Sequence, residues 1–436
     1  MPRIKHHLLA NLANIRLEER AAVLWSFLYF FSVLCSYYIV RPIRDEMGVQ
    51  GGVDNLQWLF TATFIGMLAI IPLFGWISSR YARKRFLPVV YYFFVVNLLV
   101  FYLGFYLDFD QLYIARVFFV WVSVFNLFVV SVFWSLMVDV YSNEQSKRLF
   151  GFIAAGGTAG AISGPALTGF LAMPLGTTNL LLLSAVFLLI AVVCMKRIIH
   201  WSDFSRDKQT MNSADQSPLE QEQPLGGSIM GGIKLVFSSS YLLGICVLML
   251  LFTTLSTFLY FQQAQIIKDN FVDSDARTSI FATIDLATNI LTLILQLLIM
   301  GRLVPLIGLA LTLAIVPLLL AMGFLILSIS PVVLLMIVIQ VIRRAGNYAI
   351  MRPAREMLYV VVDRESKYKA KNFIDTAVYR GGDAVSSWVY AGMKSMGLSA
   401  ANIALIAVPL SLVWAWVAFR MGKWQQSLNS TKQDGE

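Results

Sequence analysis

The sequence predicts an all-α membrane protein of twelve transmembrane helices arranged as two six-helix bundles. Three observations carry that expectation. Of 436 residues, 58% are apolar and only 14% charged, against about 25% charged in a soluble domain. Mean hydropathy is +0.71. The apolar residues fall in long continuous runs, and a spanning helix needs about 20 of them, so the chain has room for roughly a dozen spans and little else.

The runs place helices near 21–40, 56–77, 88–107, 112–138, 151–171, 178–195, 241–262, 280–300, 306–328, 331–350, 372–393 and 400–419. Met1–Arg20 is charged and has no apolar stretch followed by a small-residue cleavage site, so the first span is expected to stay as an anchor. The stretch Lys196–Leu225 is rich in Ser, Gln, Glu and Pro and cannot bury enough apolar surface to fold. It divides the chain into an N-terminal bundle (1–195), a cytoplasmic linker (196–240), a C-terminal bundle (241–420) and a tail (421–436). Residues 226–237 of the linker read as a short amphipathic helix on the membrane surface.

Basic residues set the orientation. With the N-terminus inside, 25 Lys and Arg fall on cytoplasmic segments and 5 outside, the other four, Arg116, Arg343, Arg344 and Arg380, lying within spans. Both termini and the linker are therefore expected in the cytoplasm, and a bacterial inner membrane fits the pattern. The net charge of +9 is spread by this asymmetry and calls for no nucleic-acid partner. Cys35, Cys194 and Cys246 lie inside apolar runs without paired spacing, and His6, His7 and His200 form no cluster. Neither a disulfide framework, a metal site nor any cofactor is expected. No Walker loop, His-Glu-x-x-His or Ser-His-Asp arrangement is present, so the chain does not read as an enzyme.

Charge inside a span costs roughly 2.5–3.5 kcal/mol on insertion scales, which makes each such residue a functional candidate. The candidate cations, within the spans or flanking them, are Arg41, Arg44, Arg116, Lys268, Arg343, Arg344, Arg352, Arg355, Lys371 and Arg380. The acids are Asp139, Asp285, Asp375 and Asp383, with Glu356 beside Arg355. In the eleventh span Lys371, Asp375, Tyr379 and Asp383 recur every four residues and are expected on one face, with Arg380 about a hundred degrees aside. That face either lines a solute cavity or forms internal salt bridges. Asp285 with Asn289 reads equally as a polar pair between helices. Span five stacks Gly156, Gly157, Gly160, Gly164 and Gly169 around Pro165, either a packing seam or a hinge. The halves also echo each other: Glu144 falls on Glu365 and Gly160 on Gly381 at one offset, and Arg44-Asp45 on Lys268-Asp269 at a second.

Several blocks resemble known carriers. The loop Gly75-Trp-Ile-Ser-Ser-Arg80-Tyr-Ala-Arg83-Lys-Arg85 is similar to the loop signature of the major facilitator superfamily. Span one ends Tyr38-Ile-Val-Arg41-Pro-Ile-Arg44-Asp45. Span four ends Phe133-Trp134 with Asp139, followed by Ser146-Lys-Arg-Leu-Phe150. A third block runs Arg352-Pro-Ala-Arg355-Glu356-Met357-Leu-Tyr359, then Lys369-Ala-Lys371, Ile374-Asp375 and Arg380-Gly-Gly382. In this order the three resemble the ATP/ADP translocase (NTP/NDP exchange transporter) family. The resemblance implies a facilitator fold with a midplane site between the repeats. It puts the family's important lysines on Arg44 and Arg355 and its important acid on Asp139. Ala264 stands where that family has an acid, and Asp383 where it has a lysine.

The expected function is secondary active transport of an anionic solute, a nucleotide or other phosphorylated compound, by alternating access. Coupling is either antiport or proton symport through Asp139 or Asp285. Arginine suits such a solute because its planar fork holds phosphate oxygens. A different organic anion and a non-transporting sensor or assembly protein are the competing readings. The expected partners are a small-molecule anion and the lipid bilayer, with the chain a monomer.

Overall fold

The computed structural model describes residues 15–80, 83–212 and 235–433. His6, His7, Ala82 and linker residues 213–234, with residues 226–234 of its expected surface helix, lie outside them, while linker residues 196–212, expected not to fold, continue the sixth helix. Twelve helices cross the apolar thickness among the described residues. They are α1 (Arg20–Gln50), α2 (Leu56–Arg80), α3 (Arg83–Tyr106), α4 (Gln111–Val140), α5 (Asn143–Leu175) and α6 (Leu180–Asn212). The second half gives α7 (Ser240–Asn270), α8 (Ser274–Leu295), α9 (Gly301–Ile329), α10 (Val333–Gly346), α11 (Arg364–Phe373, resuming at Tyr379–Ser395) and α12 (Ala400–Gln433).

Ten stretches are long and apolar enough to span on their own, and one of these, Ser274–Ile329, covers 56 residues. It is two spans, because the backbone turns at Gly308 within Gly301–Ile329, so that the first span runs past Met300 and the second begins after Gly308, where φ is +79° and a side chain would be strained. The remaining span, α11, carries too many charges to register by hydropathy. Three π-helical turns widen the helices, at Gln296–Met300 after α8, Asn347–Met351 after α10 and Ile374–Val378 inside α11. After its π turn α10 continues as Arg352–Leu358. A wide turn adds a residue, so the four-residue recurrence expected from Lys371 to Asp383 does not carry through. The backbone N–H of Tyr379 reaches back five residues to the Ile374 carbonyl, and Arg380, not Tyr379, follows Asp375 along its face.

The chain forms two compact units. The first comprises 1–47, 69–222 and 274–286, and the second 48–68, 223–273 and 287–436. Each unit thus holds a short piece of the opposite half of the sequence: the start of α8 in the first, the start of α2 in the second.

The first unit is built on an aromatic core. Phe30 of α1 stacks on Phe133 of α4 at 4.0 Å between ring centroids, and Trp121 stacks on Phe125 at 5.1 Å. The buried Tyr29 hydroxyl donates to Tyr91 at 2.8 Å, and Tyr91 donates to the Val129 carbonyl at 3.1 Å, so these polar tips are satisfied within the apolar interior. The glycine stripe of α5 lies flat on α1. A methyl group at Gly156 or Gly160 would collide with the carbonyl oxygens of Phe27 and Phe31, and one at Gly164 would sit 2.7 Å from the Cys35 carbonyl oxygen. The stripe is a packing seam that lets two backbones touch.

At the start of α1 the buried Glu19 accepts from Arg148 at 2.8 and 3.2 Å, from Gln145 Nε2 at 3.0 Å and from the Arg16 backbone N–H at 3.2 Å. Burial alone pushes the carboxyl upward, but the hydrogen bonds from Arg148, Gln145 and Arg16 outweigh it and hold Glu19 below its ordinary value. A lowered folded value means that the stabilisation is present at neutral pH and lost as pH falls through it. We expect Glu19→Gln to flatten the acid limb of a melting temperature against pH curve below about pH 4. An unchanged limb would remove Glu19 from the acid response.

The second unit packs α7, α10, α11 and α12 around Phe252, Trp414, Phe258 and Tyr390, with ring centroids 5.9 Å apart for the first pair and 5.5 Å for the second. The Tyr241 hydroxyl donates to the Leu358 carbonyl at 2.7 Å and ties α7 to the segment after α10. Gly422 of α12 lies against the backbone of Ala310 in α9.

Candidate functional site

In the first unit α1 continues through Pro42 to Gln50, ten residues past the end expected from hydropathy. Arg41, Arg44, Asp45 and Glu46 therefore lie within a helix, where each charge has a partner. Arg41 Nε is 3.6 Å from Asp285 Oδ2, and that carboxylate is almost wholly buried. Arg44 donates to Asp45 Oδ1 at 3.1 Å and to the Phe119 carbonyl at 3.3 Å, with its guanidinium 3.8 Å above the Phe119 ring. The planar cation thus uses its edge and its face together.

The strongest pair was not among the residues singled out from sequence. Arg277 at the start of α8 grips Glu46 through Nε at 2.7 Å and Nη2 at 2.6 Å. The Glu46 side chain is 0% exposed and that of Arg277 is 12% exposed. Beside it the Thr177 backbone N–H donates to Asp275 at 2.6 Å, and Ser279 donates to the Gly169 carbonyl at 3.0 Å. The only signal in the sequence was a second acid after Asp45 at the end of an apolar run. Arg116 and Asp139 sit half-buried near the two ends of α4.

In the second unit Arg355, Glu356, Lys371 and Asp375 come together. Arg355 donates through Nη2 to Asp375 Oδ1 at 3.1 Å, with Nη1 3.2 Å from Met249 Sδ. Lys371 donates to Glu356 at 2.6 Å. Both links join the helix after α10 to α11, and each lies beside a π turn. Arg355 Nε and the hydroxyl of the fully buried Tyr359 have no hydrogen-bond partner in the protein. Buried donors without a partner beside an ion pair are uncommon in folded proteins and call for a functional reason.

Further along α11, Arg380 Nη1 is 3.7 Å from Asp383, which accepts from Thr257 at 3.4 Å. Arg343 donates to Ser256 at 2.8 Å and to Gln340 at 2.9 Å. Gln340 in turn contacts Gln263. Lys268 and Arg352 are exposed. The Asp54–Lys394 link, at 2.7 Å, was also not foreseen from sequence.

A polytopic helical membrane protein with paired charges buried inside its spans is built as a solute carrier. The chain belongs to the major facilitator superfamily, whose sequence profile matches residues 22–355. Solved structures share the fold at low identity. A bacterial homologue of the human lysosomal transporter Spinster, in an inward-facing and unoccupied conformation, is 12% identical with a TM-score of 0.58, covering 94% of this chain and 98% of that one. The POT family transporter PepTSo is 12% identical with a TM-score of 0.64, covering 93% and 98%. A POT family transporter in complex with 5-aminolevulinic acid is 12% identical with a TM-score of 0.56, covering 93% and 96%. No curated protein matches the chain.

Proposed function

We propose that this protein is a secondary active transporter that moves an anionic solute, of the nucleotide or phosphorylated class, by alternating access across a bacterial inner membrane with both termini inside. The observation that carries the reading is Arg355, buried beside Asp375, with its Nε and the Tyr359 hydroxyl still able to donate. With Nη2 on Asp375 and Nη1 beside Met249, Nε and the Tyr359 hydroxyl are the donors left for a negatively charged group, which a guanidinium favours. Arg41, Arg44 and Arg116 offer a second set of cations in the first unit.

Each principal cation is matched to a carboxylate, which supports coupling. Coupling is either antiport or proton symport through Asp139 or Asp285, the latter 3.6 Å from Arg41. In that orientation the Arg277–Glu46 and Thr177–Asp275 links lie at the outer ends of their helices.

Purified protein in liposomes, preloaded with unlabelled ADP or with buffer, is assayed for uptake of labelled ATP with and without an inward proton gradient. Uptake that needs internal nucleotide or the gradient supports the reading. A flat response to nucleotides and phosphorylated sugars, with transport of a phosphate-free carboxylate instead, would sink the solute class. We expect Asp285→Asn to lower gradient-driven uptake by about tenfold or more, the scale of one charge-assisted hydrogen bond, while exchange survives. Equal loss of both modes would show that Asp285 does not carry the coupling.

A further inference from the structure

Apart from the charges weighed for transport, the second unit contains a cavity of about 380 Å³ whose walls include Val53, Asp54, Gln57, Phe261, Tyr390 and Lys394. Its size falls within the range of about 300–1,000 Å³ typical of small-molecule sites. Two kinds of polar group meet there. Lys394 Nζ donates to Asp54 Oδ1 at 2.7 Å and to Gln265 Oε1 at 3.2 Å, and an ammonium has a third N–H to give.

Gln57 supplies the opposite kind of group. Its Nε2 donates to the Asp54 backbone carbonyl at 2.8 Å, which fixes the amide, because the flipped form would set oxygen against oxygen. Its Oε1 is then a buried acceptor with no hydrogen-bond partner in the protein, on a residue only 8% exposed. The Asp54 carboxylate beside it is 72% exposed and can accept more. Val53 and the Phe261 and Tyr390 rings, 4.7 Å apart between centroids, make the rest of the wall apolar.

We propose that this cavity binds a small zwitterion with an apolar body, of the α-amino acid class. Its carboxylate lies on Lys394, its ammonium on Asp54 and Gln57, and its side chain on Val53, Phe261 and Tyr390. A simple anion would meet Asp54, a simple cation would meet Lys394, and a molecule without a donor would leave the Gln57 acceptor unmet. The site is separate in its residues from the arginine pairs and goes beyond the transport reading.

The test is calorimetric titration of the full-length protein in detergent with L-leucine, leucinamide and N-acetyl-leucine. L-leucine binds, and each derivative, lacking one charge, is weaker by about tenfold or more, as loss of a charge-assisted hydrogen bond dictates. Lys394→Met and Asp54→Asn each weaken L-leucine similarly, and so does Gln57→Leu, which leaves the Lys394–Asp54 pair in place. Gly151→Ala, with nothing within 4 Å of the added methyl group, leaves L-leucine binding unchanged. Absence of L-leucine binding, equal binding of all three compounds, or cavity variants that bind L-leucine as tightly as the unaltered protein would each overturn the proposal.

Discussion

Replacing Arg277 with methionine is expected to lower stability by about 3–5 kcal/mol, the cost of leaving a buried charge without its partner. Glu46 is the reason. Its side chain is fully enclosed, and both its oxygens accept from the Arg277 guanidinium at 2.6 and 2.7 Å. Methionine keeps the length of the side chain but leaves a carboxylate sealed in an apolar wall. Removing both charges with Arg277→Met and Glu46→Gln should recover most of the loss, because an apolar or neutral pair of similar volume is nearly as stable as a buried ion pair. A double-mutant cycle by chemical unfolding in detergent measures the coupling. If the double variant is as unstable as the sum of the singles, the two residues do not act as a pair.

The second large effect lies in the seam between α1 and α5. Gly160→Leu is expected to cost more than about 3 kcal/mol, at or beyond the upper end of overpacking penalties. Even the first carbon of the new side chain meets the Phe31 carbonyl oxygen and the Cys35 backbone nitrogen. Backbone atoms cannot rotate aside as a side chain can. Gly151, on the same helix, has nothing within 4 Å of an added methyl group, so Gly151→Ala should stabilise by about 0.5–1 kcal/mol through the helical preference of alanine. Opposite signs within one helix separate packing from propensity. Melting temperatures that move together at both positions would contradict the seam.

Hydropathy made the spans legible because lipid demands long apolar helices whatever their neighbours. It failed where side chains satisfy each other. The charges Arg41 to Glu46 read as the end of a span, yet α1 runs on to Gln50 because Arg41, Arg44 and Glu46 find Asp285, Phe119 and Arg277. Spacing alone could not find these pairs: Glu46 and Arg277 are 231 residues apart, and Trp388 donates to Thr61 across 327. The charged face of α11 was visible, but its register was not, since no residue pattern marks the wide turn at Ile374–Val378. Of the residues expected to act together, Arg355 with Asp375 and Lys371 with Glu356 do meet. Lys268 and Arg352 stay at the surface.

The bare contact between α1 and α5 also governs how the first unit can deform. Without side chains to slide over one another, the two helices have no lubricating layer, and any tilt of one must drag the other as a fused lever. Arg41 and Arg44 ride on one arm of that lever, and Gly169, whose carbonyl accepts from Ser279, rides on the other. A displacement that frees α8 from Gly169 must therefore reposition the two arginines in the same stroke.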